Sequence, residues 1–406
     1  MRAGGPGRPV LVVLRGLGLG DLLTVVPTLR GLRRTHPGHR VVLAAPAALA
    51  GLLPLIGAVD DLIDVSGTGP VPCREPDIAV NLHGAGPQST SALLRTGPGR
   101  LLTHAHPLLP GVPGPPWDPG AHEVTRWCAL LAWHGIPADP ADLFLPVPPS
   151  SAAGHVVVHP GAAYPSRRWP PERFAEVIAA LTRSGHRVLI TGGPAERSLA
   201  DKVAALAHAA GAPPQAGAAA VRPDGVPVPG VQVVAGDTDV AGLAGLVGAA
   251  RLVICGDTGV AHLATALGTP SVVLFGPVSP ALWGPPAGAR HIALWAGRSG
   301  DPHGDAPDQG LLRIGVSDVV NAALGLLARG EANRPAGERV TMTPCEDGPL
   351  LVRGAFTIET QDGRTIDPGR STVALCRCGR SGVKPFCDGS HKATGFRAPG
   401  GPAEDA

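Results

Sequence analysis

Lysine is nearly missing from this chain: Lys202, Lys384 and Lys392 are the three present in 406 residues. Arginine carries the basic charge instead, and acids nearly cancel it, leaving a formal net charge of +2. A balance this close to neutral argues against a surface built for a polyanion, so no nucleic-acid partner is expected. The shortage of lysine beside abundant Ala, Gly, Pro and Arg matches a GC-rich coding sequence and says little about physics. Long unbroken apolar runs are also lacking. Val41 to Val59 is uncharged for nineteen residues, but Pro46, Gly51, Pro54 and Gly57 interrupt it and Asp60-Asp61 follow at once. A buried strand followed by a short helix is expected there, not a membrane span. Val10 to Leu14 is too short for the apolar core of a signal peptide. Seven cysteines cannot all pair, and Cys73, Cys128, Cys255 and Cys345 are scattered through apolar or loop segments. That is a reducing-compartment pattern rather than a disulfide framework, so a soluble, cytoplasmic protein is expected.

What is present is an alternation of short apolar runs and helical stretches. Strands are predicted at Val10–Leu14, Arg40–Ala45 and Ile78–Leu82, with a helix over Asp21–Thr35. A Pro/Ser stretch from Leu145 to Gly154 reads as a linker. The pattern then restarts with a strand at His155–His159, a helix over Pro171–Ser184, and strands at Arg187–Thr191, Leu252–Cys255 and Ser271–Phe275. Such alternation implies parallel sheets covered by helices, an α/β fold. Two α/β units joined by a linker enclose a cleft, and ligands of such sheets sit at the carboxyl ends of the strands. Ala209–Gly230, rich in Ala, Gly and Pro, reads as a surface insertion. Arg329–Gly337 reads as a second linker. A length of 406 residues exceeds the usual single-domain limit, and the boundaries drawn are 1–150, 151–330 and 338–406.

The third segment carries the most specific signal: Cys376-Arg-Cys378-Gly-Arg-Ser381-Gly-Val-Lys-Pro385-Phe-Cys387-Asp388-Gly389-Ser390-His391. Three cysteines and one histidine make a complete four-ligand set for a metal centre. Cys₃His also suits structural zinc, but zinc motifs usually space paired cysteines two to four apart, and C-x-C counts against that reading. The block resembles the CDGSH iron-sulphur family at every signature position. The resemblance implies a [2Fe–2S] cluster, with Cys376 and Cys378 on one iron and Cys387 and His391 on the other. A His ligand would raise the reduction potential and make it sensitive to protonation. Short strands are expected at Pro349–Gly354 and Val373–Leu375, with Asp388 capping the short helix that carries His391. The family often dimerises, which leaves a homodimer through the tail open.

Gly16-Leu-Gly18-Leu-Gly20-Asp21 follows the first strand. A dinucleotide fingerprint fails here at the third glycine, and no acidic residue ends the second strand, so NAD is not expected. The loop offers close backbone approach and a carboxylate at a helix N-terminus, and on residue type alone Asp21 is better read as a helix N-cap. Taken with His159-Pro160-Gly161-Ala162, Arg167-Arg168-Trp169-Pro170, Asp257-Thr258-Gly259-Val-Ala-His262 and Leu274-Phe275-Gly276-Pro277, it resembles glycosyltransferase family 9, the ADP-heptose:lipopolysaccharide heptosyltransferase family, over about residues 9 to 330. The resemblance implies two Rossmann-like domains in a GT-B arrangement, the first for the acceptor and the second for the donor. It also implies inverting transfer of a heptose-like sugar from a nucleotide diphosphate to a carbohydrate or other hydroxyl acceptor, without a divalent metal. Asp21 would be the general base. Arg167, where the family usually has Lys, would contact the donor diphosphate, with a planar fork in place of a point charge. Asp257, Thr258 and Gly259 would present a helix N-terminus to the donor, with His262 one turn on. Arg168 reads equally as donor-binding or as a surface residue.

Three further features have competing explanations. Asp237-Thr-Asp239 is a D-x-D, better read as the N-cap of Val240–Ala249 than as a metal site. Arg30, Arg33, Arg34 and Arg40 either complement a helix C-terminus or hold an anionic acceptor or a membrane surface. The whole chain also admits a second reading: an iron- or redox-sensing iron-sulphur protein whose glycosyltransferase portion binds ligand without turnover.

Overall fold

A computed structural model describes residues 8–150, 153–214, 229–332 and 340–401, apart from 355, 361–363, 369 and 371. The chain divides into two compact units, Met1–Leu327 and Ala328–Ala406.

The first unit holds two parallel sheets. In the first, β1 (Val10–Leu14), β2 (Arg40–Ala45), β3 (Asp61–Asp64), β4 (Ile78–Asn81) and β5 (Arg100–Leu102) lie in the order β3-β2-β1-β4-β5. In the second, β6 (Val156–His159), β7 (Arg187–Ile190), β8 (Gly230–Val233), β9 (Leu252–Gly256), β10 (Ser271–Phe275) and β11 (His291–Trp295) lie in the order β11-β10-β9-β6-β7-β8. Each order reverses direction beside its first strand, which opens a crevice at the carboxyl ends of the central strands. The central strands are buried at every position because helices cover both faces, so they read as continuous Val/Leu/Ile runs without alternation.

One apolar cluster crosses from the first sheet to the second. Leu22, Leu23 and Val26 share it with Val260, Leu263, Val273 and Phe275. Burial of that shared surface fixes the two halves against each other.

The predicted helix Asp21–Thr35 is in fact two, α1 (Leu19–Thr24) and α2 (Val26–Thr35). Pro27 is the cause: it has no N–H to donate into a continuing ladder, and it sits in the first turn of α2, where none is needed. The helix also begins before Asp21, with Gly18 at the N-cap, so Asp21 is not the cap itself. The uncharged stretch behaves as expected, with β2 followed by a 3₁₀ turn at Ala47–Leu52 and a short helix at Leu53–Ile56. Among the described residues no helix is long and apolar enough to cross a membrane. Residues 215–228 of the expected insertion and 333–337 of the second expected linker lie outside the described residues. The helix Val316–Ala332 runs into the start of that linker.

In the second unit, β12 (Thr341–Pro344), β13 (Leu350–Arg353) and β16 (Thr372–Leu375) form an antiparallel sheet around buried Val352 and Val373. A hairpin of β14 (Ile358–Glu359) and β15 (Thr365–Ile366) lies between β13 and β16 in the chain. The helix Ser390–Ala393 follows.

Candidate active site and metal centre

The loop after β1 leads into α1, and the loop after β9 leads into the helix Gly259–Ala266. These two helices meet start to start through glycine. A methyl group on Gly20 would stand 2.7 Å from His262 Cδ2, and one on Gly259 would stand 2.8 Å from Leu19 Cβ. Only the absence of a side chain at both positions permits this approach. The contact brings Asp21 from the first sheet to Asp257, Thr258 and His262 of the second.

Between them lies a cavity of about 480 Å³, lined by Gly18, Asp21, Tyr164, Arg167, Asp257, Thr258 and His262 among others. A larger groove of about 660 Å³ lies elsewhere, along Pro70–Glu75 and Arg95–Gly97, and carries none of the motif residues.

Each sheet contributes one carboxylate paired with one arginine. Arg15, directly after β1 and 1% exposed, places Nη2 3.2 Å from Asp21 Oδ1 and 2.9 Å from Glu123 Oε1. Its Nε donates to the Asp21 carbonyl at 3.0 Å and its Nη1 to the Leu82 carbonyl. On the other side Arg167 Nη1 lies 3.4 Å from Asp257 Oδ2. Burial raises the Asp21 pKa; Arg15 opposes the rise and Glu123 adds to it. Burial pushes Asp257 up to about 6, with Arg167 opposing and Asp21 adding. His262 is pushed down to about 4, first by burial and then by His122, Arg15 and Arg167, so near neutral pH its imidazole is uncharged. Trp283 stands edge-on to it at 5.8 Å.

Two buried donors in this cavity lack partners. The Thr258 hydroxyl neighbours the Cys255 thiol. Among the described residues, neither it nor Arg167 Nε has a hydrogen-bond partner. Thr258 is the N-cap of its helix yet makes no side-chain cap bond. Buried polar groups are usually satisfied, so unpartnered donors beside a cavity are candidates for a ligand's acceptors.

Arg168 follows a different path. Its Nε donates to the Ala162 carbonyl at 2.9 Å, and it is not among the described residues lining the cavity. The D-x-D carboxylates are also occupied. Asp239 caps Val240–Gly248 by accepting from Gly242 N at 2.8 Å, and Asp237 pairs with Arg197 at 3.1 Å. Arg30 and Arg34 both bind Asp142 at 2.7 Å, while Arg33 pairs with Asp60 and Arg40 with Asp61. These four arginines are thus tied into the unit's own ion pairs.

Sequence reasoning missed Arg15, Glu123, Tyr164 and Trp283. Arg15 left a legible signal, a charged residue ending a fully apolar strand at the edge where ligands bind. Glu123 left none, because its role depends on a contact 108 residues away.

In the second unit the four candidate metal ligands lie in two pairs. Cys376 Sγ and Cys378 Sγ are 3.7 Å apart, and Cys387 Sγ and His391 Nδ1 are 3.3 Å apart. Among the described residues no three His, Cys, Asp or Glu side chains gather as one ion's ligand set. Backbone N–H groups point at the sulfurs: Arg380 N to Cys378 at 3.5 Å and Gly389 N to Cys387 at 3.4 Å. The Ser381 N–H, chief among several, holds the Cys376 thiol below its usual range. Gly389, at φ 89°, is the N-cap of the short helix in place of the expected Asp388. Asp388 instead braces the loop, accepting from Gly382 N at 2.8 Å and Ser390 N at 3.0 Å.

Two Rossmann-like sheets face each other across a cleft of paired charges, the GT-B arrangement, and a small β-rich cysteine module follows in the chain. Residues 138–309 match the family model for glycosyltransferase family 9 (heptosyltransferase), and residues 347–392 match the iron-binding zinc finger of CDGSH type. Residues 138–309 are thus similar to family 9 glycosyltransferases, and residues 347–392 to CDGSH iron-binding domains. No curated protein matches.

Among solved structures, the fold is similar to a glycosyl transferase family 9 protein from Veillonella parvula, at TM-score 0.61 and 20% identity, over 81% of this chain and 100% of that one. It is also similar to the E. coli ADP-heptose lps heptosyltransferase II, at TM-score 0.59 and 20% identity, over 79% and 99% of the respective chains. E. coli heptosyltransferase WaaC with ADP-2-deoxy-2-fluoro heptose gives TM-score 0.54 and 19% identity, over 77% and 98%.

Proposed function

We propose that the first unit transfers a heptose-like sugar from an ADP-heptose type donor to a hydroxyl acceptor, inverting the anomeric centre without a divalent ion. The observation that carries this reading is the cavity itself. Its lining pairs a carboxylate able to take a proton with two unpartnered donors, Arg167 Nε and the Thr258 hydroxyl, suited to a departing diphosphate.

Asp21 accepts the proton of the acceptor hydroxyl as its oxygen attacks the anomeric carbon. The attack comes from the face opposite the diphosphate, so the new bond inverts the centre. The bond between the anomeric carbon and the diphosphate oxygen breaks, and its electrons leave with the diphosphate. Arg167, the Thr258 hydroxyl and the first N–H groups of Gly259–Ala266 receive that charge. A helix start and a fixed cation stabilise an anion without rearranging as it forms. Asp257 holds Arg167 in place, and neutral His262 packs beneath Gly20. Arg168 serves the donor only at one remove, by holding the Ala162 loop.

In the second unit we propose a [2Fe–2S] cluster, with Cys376 and Cys378 on one iron and Cys387 and His391 on the other. Two separate ligand pairs suit two irons better than one tetrahedral zinc, whose ligands converge on a single point. When bound, such a cluster takes up and releases a single electron.

Calorimetric titration with ADP, UDP and GDP, without added metal, tests the donor. Selective ADP binding, retained in Asp21→Ala while transfer from ADP-heptose falls by on the order of a hundredfold or more, is the expected result. Preference for UDP or GDP moves the donor class, and full transfer by Asp21→Ala removes it as the base.

A further inference from the structure

The Arg15 guanidinium is shared. One terminal nitrogen, Nη2, reaches Asp21 Oδ1 at 3.2 Å, Thr24 Oγ1 at 3.2 Å and Glu123 Oε1 at 2.9 Å. Glu123, at the start of the helix Glu123–Trp133, is almost as buried as Arg15. Its Oε1 also accepts from Trp127 Nε1 at 2.8 Å, and its Oε2 is held by Arg126. Arg15 lies over the Trp127 ring at 5.0 Å and Arg126 over Trp117 at 4.4 Å. The row Arg126, Glu123, Arg15, Asp21 thus alternates in sign, with both inner members buried and anchored by aromatic rings.

We propose that Glu123 is a positioning residue for Asp21: by binding the same terminal nitrogen of Arg15 it leaves Asp21 only part of that cation, so the carboxylate stays able to take up a proton. The inference rests on the reading of Asp21 as the base. An unshared arginine would bind Asp21 as a full ion pair, locking it in the deprotonated form and weakening it as a proton acceptor. The alternating row prevents this while keeping the net charge of the four groups at zero. From α1's own side Asp21 faces no other titratable group. Across the cavity it faces Asp257, whose proton affinity it raises, and Arg167 and neutral His262 from the second sheet. His83, after β4, lies near Arg15 and is kept uncharged by burial and by that cation. Glu123 is the second anion on Arg15 Nη2.

Infrared difference titration of the full chain reads this directly, with the Asp21 carboxyl band assigned by its loss in Asp21→Asn. In Glu123→Gln the band vanishes at lower pH than in wild type, because a negative charge has been removed. In Arg126→Gln it vanishes at higher pH, because a positive charge has been removed from the other end of the row. Glu123→Asp, which keeps the charge, titrates as wild type does. A purely structural role for Glu123 would lower stability in these variants without moving the titration in opposite directions, and that result overturns the proposal. If Glu123→Gln does not fold, Arg126→Gln decides alone: an upward shift supports the proposal and an unmoved band rejects it. The titration needs no acceptor and no turnover, so it is independent of the Asp21→Ala transfer assay, which decides whether Asp21 is the base at all.

Discussion

At the residue scale, the site gathers charge where burial makes charge expensive, and stability should record it. Asp257 ordinarily ionises near 3.8, but in the folded chain it holds its proton to about pH 6, chiefly because it is buried. Between those two values the unfolded chain binds fewer protons than the folded one, so this group lowers stability as pH rises through the window. Asparagine cannot ionise and escapes the effect. Asp257→Asn should therefore melt close to wild type at pH 4, pull ahead as pH rises to about 6, and keep a constant lead of a few degrees above that. An equal gap at every pH would show that the carboxylate is not held against its own ionisation. The same reasoning explains what the sequence could disclose at this scale. Asp257, Thr258 and His262 stand in one contiguous block, so residue order carried them. Asp21 and Asp257 are 236 positions apart in the sequence, and only the meeting of two helix starts shows that Asp21 raises the proton affinity of Asp257.

At the scale of elements, that meeting depends on Gly20 and Gly259. A methyl group at Gly259 would press on Leu19 Cβ, which sits on the backbone and cannot swing aside. The two helices must then separate by a few tenths of an ångström or more, carrying Asp21 away from the second sheet. Gly259→Ala should cost transfer about ten- to a hundredfold, because small misplacements of a catalytic group are expensive. The accompanying overpacking should cost about 1–3 kcal/mol of stability. Gly325→Ala is the control: that glycine lies within Val316–Ala332 with nothing near its missing Cβ, so alanine should stabilise the helix by up to about 1 kcal/mol and leave transfer alone. Equal turnover in wild type and Gly259→Ala would detach the helix contact from the chemistry. The elements themselves were unevenly legible. Central strands such as β1, β6 and β10 announced themselves as unbroken apolar runs because both faces are covered. Edge strands such as β3 and β5, four and three residues long and partly exposed, lacked that signal. The single helix predicted over Asp21–Thr35 failed at Pro27, whose consequence for chain direction was not drawn from its position.

At the scale of the whole molecule, two chemistries share one chain without sharing a reaction balance. Glycosyl transfer moves a sugar and a proton: one carbon–oxygen bond forms, another breaks, and no electron is gained or lost. A cluster in the second unit changes only in electron count. Nothing in the transfer step therefore calls for iron, and the residues that perform it in our proposal come entirely from the first unit. Cys387→Ser separates the two. Thiolate is the natural ligand of such clusters, and the alkoxide of serine is a poor replacement, so the purified variant should lose its iron. The wild-type chain should carry two irons and two acid-labile sulfides, measured by elemental analysis and sulfide release; one zinc and no sulfide would replace the cluster with a structural ion. Transfer from ADP-heptose by Cys387→Ser should stay within about threefold of wild type, the scatter expected of substitutions outside a site. A fall in turnover that tracks iron content, with the melting temperature unchanged, would mean that occupancy of the metal centre in the second unit governs the first. The iron centre would then be a regulator that the transfer chemistry alone gives no reason to expect.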